Sequence, residues 1–125
     1  MIKSILFVGL GGAAGSILRY LVTIFSGKVM HSLHPYPIGT FIVNMVGCLL
    51  VGCLLGFFEQ RQLLDSQLKI LFVTGFCGSF TTFSAFSAEA IQLFESGNIL
   101  IGVVYIGASI AFGLLAVWGG FLFVR

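Results

Sequence analysis

Gly75-Phe76-Cys77-Gly78-Ser79-Phe80-Thr81-Thr82-Phe83-Ser84-Ala85-Phe86-Ser87 decides the fold: inside a long apolar stretch, two glycines lead into five hydroxyl residues within nine positions. Such a composition weakens a continuous lipid-facing helix. Backbone at membrane depth can leave helical geometry only where protein or a water-filled cavity satisfies its freed carbonyls and amides. The stretch therefore reads as a membrane helix broken near its middle, with residues 78–81 expected to leave regular helix, and freed carbonyls of this kind can bind a cation such as Na⁺. The competing reading is a regular helix whose serines and threonines bond back to their own backbone.

Working outward, the surroundings are membrane-like throughout. The 125 residues are 58% hydrophobic and 8% charged, against about 25% charged in an ordinary soluble domain. A helix crossing the hydrocarbon needs about 20 mostly apolar residues, and four such segments fit, at about 4–25, 38–58, 68–94 and 99–124. The expected fold is an all-α integral membrane protein, residues 1–125 forming a single transmembrane domain. Gly27, Lys28, His31, Pro35 and Pro37 mark the first loop by their turn residues and polarity. Glu59, Gln60, Arg61, Gln62 and Asp65 form a water-facing loop, and Glu95, Ser96, Gly97 and Asn98 a tight turn, so both termini face one side. Residues 2–25 are too long for a signal-peptide core and end near Arg19 rather than a small-residue cleavage site, so this segment is expected to stay attached.

Several function classes drop out. A net charge of +2, scattered along the chain, does not make the basic face that nucleic-acid binding requires. Cys48, Cys53 and Cys77 are odd in number, lie in apolar stretches and lack metal-ligand spacing, so they read as small buried hydrophobes. Gly9, Gly11 and Ala14 imitate a dinucleotide-binding fingerprint, but the first acid in the chain is Glu59, too far away to hold a ribose, and no strand and helix alternation follows. These glycines instead suit close helix packing, as do the pairs spaced four apart at Gly11 and Gly15 and at Gly52 and Gly56. Four thin helices enclose little space, so the chain is expected to work as an oligomer. Lys3, Arg61, Lys69 and Arg125 fall on the terminal side, with Lys28 and Arg19 assigned to the other. That weak bias permits insertion in both orientations.

A few polar residues carry the chemistry. Arg19, near the end of the first segment, either anchors at the interface beside Tyr20 or lines a pore entrance and draws anions. Glu89 is either part of a hydrogen-bond network in a vestibule or a residue near a loop. Asn44, one turn after Thr40 on the same helix face, either glues two helices together, the reading its spacing favours, or donates its NH₂ to an anion. Phe83 and Phe86 are either packing or a pair of ring edges, positive at the rim, that meet an anion.

At these residues the sequence closely resembles the Fluc family of fluoride channels, also called the CrcB family of fluoride exporters. The matching pieces are Gly12-Ala13-Ala14-Gly15 with Arg19-Tyr20, Gly39-Thr40-Phe41-Ile42-Val43-Asn44-Met45-Val46-Gly47, and the broken stretch quoted first. The fourth segment matches only by Tyr105 and Ser109. The resemblance implies an antiparallel, dual-topology homodimer with two fluoride pores and a structural Na⁺ at the dimer centre, held by the backbone carbonyls of Gly78 and Thr81. It implies a pore of Asn44, Phe83, Phe86, Ser84, Tyr105 and Ser109, a vestibule arginine at Arg19, and so the ion-contacting readings of Asn44 and the phenylalanines. Ser79-Phe80 departs from the small or aliphatic residues common there, which bears on packing beside the break. The expected activity is passive fluoride export across a bacterial inner membrane, with no enzymatic step and no energy cofactor. The principal rival is a small proton-coupled multidrug transporter of the same four-helix, dual-topology plan, which depends on a carboxylate in its first helix; this first segment has no acid. A structural or assembly subunit would leave the hydroxyl-rich break unexplained.

Overall fold

A computed structural model describes residues 1–29 and 36–125. Helix α1 (Ile2–Val29) and helix α2 (Ile38–Gln60) are followed by a third span, Gln67–Glu95, made of two pieces. Its first piece, α3 (residues 67–80), is wound as a π-helix over Ile70–Cys77 and returns to α geometry at Gly78–Phe80. Its second piece is α4 (Phe83–Glu95), and α5 (Ile99–Val124) closes the chain. All four spans, of 27, 23, 29 and 26 residues, are long and apolar enough to cross a bilayer. The protein is a multi-pass membrane protein of helices alone among the described residues.

Helix α1 runs past Phe25, where the first segment was expected to close, and takes in Gly27 and Lys28. A glycine inside a helix costs only about 1 kcal/mol, and a lysine in the last turn complements the carbonyl end of the helix dipole. The loop residues His31 and Pro35 lie outside the described residues, and Pro37 directly precedes α2.

Lipid tails are as apolar as leucine, so helices in a bilayer associate by close packing rather than by leaving water. The glycines supply it. Helix α1 packs on α3 and helix α2 on α5. Along the first pair, a Cβ on Gly11 would strike the Leu71 carbonyl and one on Gly15 the Phe76 carbonyl, while one on Gly75 would lie 2.9 Å from the Val8 carbonyl oxygen. Along the second, Gly52 faces the Val117 carbonyl, and a Cβ on Gly56 would lie 3.0 Å from the Phe121 carbonyl oxygen. These backbones touch where side chains are missing. The opposite faces, with Leu6, Leu10 and Ile17 on α1 and Val104, Leu114 and Phe123 on α5, are exposed, as lipid-facing surfaces must be.

Candidate functional site

Helix α3 stops at Phe80 because the next two residues are extended, Thr81 at φ −78°, ψ 155° and Thr82 at φ −146°, ψ 117°. The sequence reading put the break over residues 78–81, but Gly78–Phe80 stay helical and the interruption falls on Thr81-Thr82. β-Branched threonines favour extended backbone more than the glycine before them does. Of the two glycines, Gly75 serves contact with α1, whereas a Cβ on Gly78 would have only the Val73 carbonyl of its own helix within 4 Å.

An interrupted helix strands carbonyls before the break and amides after it. Unbroken, the Thr82 N–H would bond the Gly78 carbonyl; here it donates to Asn44 Oδ1 at 2.8 Å. Asn44 Nδ2 in turn donates to the Thr82 carbonyl at 3.2 Å. The amide of α2 thus clasps both backbone groups of one extended residue, as a neighbouring strand would. Because the Thr82 N–H needs an acceptor, the clasp also fixes which way the amide points and leaves one Nδ2 hydrogen uncommitted to it. The Ala85 N–H, which would bond the Thr81 carbonyl in a continuous helix, donates to Thr82 Oγ1 at 3.2 Å and so caps α4. The Ser79 carbonyl accepts from Arg19 Nε at 3.2 Å. The carbonyls of Gly78, Ser79, Phe80 and Thr81 all lose their helical donors at the break, and of these the Ser79 carbonyl is met by Arg19. Back-bonding occurs too, at Thr81, whose hydroxyl donates to the Cys77 carbonyl at 2.9 Å.

Beside the break lies an open groove of about 370 Å³, lined by Asn44, Cys48, Thr81, Phe83, Phe86 and Ser109 among others, and by no charged side chain among the described residues. The Phe83 and Phe86 rings are 5.7 Å apart and tilted by 40°. Phe83 is 79% exposed in the single chain, whereas Phe86 leans on Tyr105 at 5.1 Å. Such a surface can hold an anion by ring edges and amide hydrogens without the grip of a full charge.

Two expected pore residues do not line this groove in the single chain. Ser84 is exposed, its hydroxyl 3.2 Å from Thr82 Oγ1. Tyr105 is buried and donates to Glu89 Oε2 at 3.3 Å, while Thr40 donates to Glu89 Oε1 at 2.6 Å. Glu89 is thus the centre of a hydrogen-bond network joining α2, α4 and α5, and not a loop-proximal residue. The sequence reading offered Glu89 a hydrogen-bond network without naming its partners, although Thr40 four residues before Asn44 signalled a polar face on α2. Arg19 is half-buried beside the break, and α1 continues ten residues beyond it to Val29, roughly 15 Å. Its place is mid-helix rather than the helix end that an interfacial anchor needs.

The fold and this site define a small multi-pass membrane protein whose polar atoms converge on a helix break near mid-span, next to an uncharged groove. The chain belongs to the CrcB family: residues 6–121 match the family model described as CrcB-like protein, Camphor Resistance (CrcB). It is 44% identical over 123 residues to the fluoride-specific ion channel FluC of Flavobacterium psychrophilum, covering 98% of both chains. Its identity to the protein of the same name from Azobacteroides pseudotrichonymphae is 44% over 122 residues, 98% of this chain and 96% of that one. To the Rhizobium etli protein of that name it is 43% over 125 residues, all of this chain and 98% of the relative.

Proposed function

We propose that this chain is a subunit of a fluoride-selective channel that lets fluoride run passively out of the cell and so protects it from fluoride toxicity. The observation that carries the reading is the uncharged groove at the helix break, where Asn44, Phe83, Phe86 and Ser109 meet, in a chain whose full-length relatives are named fluoride-specific ion channels. Fluoride holds its water tightly, so a path for it needs substitute donors that still let go at each step. An amide hydrogen and ring edges suit that balance. Ser84, beside Thr82, and Tyr105, against Phe86, extend the path beyond the groove, and Arg19 draws anions toward the break. The proton-coupled transporter reading is not favoured, since α1 contains no acid.

The functional unit in this reading is an antiparallel homodimer. A phenylalanine 79% exposed at the edge of an open groove supports a path that a second copy would complete. The carbonyls of Gly78 and Thr81, deprived of their helical donors, fit a structural Na⁺ at the dimer centre: oxygen ligands without a fixed counter-charge suit a weakly held monovalent cation. The ion would neutralise carbonyl dipoles where two breaks meet. Efflux from liposomes holding the purified protein tests the function: fluoride should leave rapidly without a proton gradient while chloride stays. Fluoride retained at the rate of empty liposomes, or lost only when a proton gradient is imposed, would remove the channel reading.

A further inference from the structure

Two positions of α2, three residues apart, meet the break, and only one of them is polar. Gly47 is buried, and a side chain there would collide with Thr81 Cγ2 while meeting Phe80 Cδ2 at 3.4 Å and Thr81 Cβ at 3.6 Å. The Thr81 methyl therefore occupies the space that a Cβ on Gly47 would fill. Three residues earlier, Asn44 takes the backbone of Thr82. Residues three apart share a helix face, so this face of α2 receives the two extended residues side by side, one by its side chain and the other by its backbone.

We propose that Gly47 is a positioning residue for the ion path. The gap over its Cα seats the Thr81 methyl and so fixes where the break aims the Thr81 carbonyl and where α4 begins at Phe83. The inference rests on the channel reading above. The methyl has nowhere else to go, because Thr81 is pinned at two other points: its hydroxyl donates to the Cys77 carbonyl at 2.9 Å, and its N–H to the same oxygen at 3.0 Å. Turning the side chain to another staggered position would move the hydroxyl off that carbonyl. An added methyl on α2 must then displace Thr81 as a whole, and Thr82 and its clasp with it. Gly52, five residues further along α2, provides the contrast: the atoms nearest to a Cβ there are backbone atoms of Val117 and Phe121 on α5, not of the break.

The test is a double-substitution cycle read as fluoride efflux per folded protein in liposomes. Gly47→Ala should lower flux roughly tenfold, the scale of overpacking by one methyl. Adding Thr81→Ser, which deletes Cγ2 and keeps the hydroxyl, should recover roughly fivefold or more of that loss. The same Thr81→Ser change should give no gain in the parent or in Gly52→Ala. If Gly47→Ala yields little folded protein, the yield of monodisperse protein is read through the same cycle, with the same directions expected. The seat is overturned if Thr81→Ser fails to improve Gly47→Ala on either readout, if it improves Gly52→Ala as much, or if Gly47→Ala matches the parent. A parent that passes no fluoride overturns the channel reading instead, and the yield cycle still decides the seat.

Discussion

At the scale of single residues, Asn44 is doubly committed beside the groove, because one amide both accepts from and donates to Thr82. Asn44→Asp keeps the acceptor and replaces the donor with a second oxygen facing the Thr82 carbonyl. Leaving that pair unsatisfied costs about 1–3 kcal/mol, and a carboxylate also repels an anion beside it. Fluoride efflux should fall by about tenfold or more, measured against folded protein; flux at the parent rate would reduce Asn44 to a packing residue. The two phenylalanines should separate. Phe83 is exposed and Phe86 packs on Tyr105, so Phe83→Ile should reduce flux with little change in thermal stability. Phe86→Ile should reduce both, by about 1 kcal/mol in stability as an aromatic contact is lost. Equal stability losses in the two variants would contradict this account.

At the scale of elements, both helix ends that face a tight turn carry a 6→1 and a 5→2 backbone bond around a left-handed residue. After α4, Asn98 N–H reaches the Leu93 carbonyl at 2.8 Å and Gly97 N–H the Phe94 carbonyl at 3.1 Å, with Gly97 at φ +86°. After α2 the same pair runs from Leu63 to Phe58 and from Gln62 to Glu59, but the left-handed residue is Gln62 at φ 56°. A residue with a Cβ pays about 1 kcal/mol or more there. Gln62→Gly should raise stability in detergent by about 1 kcal/mol, seen as a higher melting temperature; a lower one would show that the Gln62 side chain holds the loop. The glycine turn at 97 was readable from its residue type alone, whereas the turn at Gln62 was not, because nothing in a glutamine announces a positive φ. The same divide runs through the site. Composition and spacing exposed the broken span and the Thr40 and Asn44 face, since both are local. The exact step of the break and the partners of Glu89 were not legible, because they depend on which residues of α2 meet residues 38 and 49 positions away. Arg19 was misplaced for a related reason: a helix end was expected soon after it, and α1 runs on.

At the scale of the whole molecule, the position of Arg19 changes the charge balance that governs insertion. Beside the break it no longer counts as a loop charge, which leaves Lys3, Arg61, Lys69 and Arg125 against Lys28 among the described residues. Acidic neighbours such as Glu59 and Asp65 contribute little to orientation. The bias is three charges, small enough for a few added lysines to override in either direction, and that makes the antiparallel dimer testable by force. Extra lysines beside the C-terminus should drive every copy to insert with its termini in the cytoplasm, and extra lysines beside Lys28 should drive the opposite. If the path is completed by an inverted partner, each forced variant alone should fail to protect cells from fluoride, because no inverted copy is present. The two expressed together should restore protection, since each supplies the orientation the other lacks. Reporter fusions at the C-terminus establish that the forcing worked: the parent should be active on both faces of the membrane and each forced variant on one. Protection by a single variant whose reporter is active on one face only would show that the path is complete without inversion, and the antiparallel arrangement would have to be given up even though the groove, the clasp and the break remain.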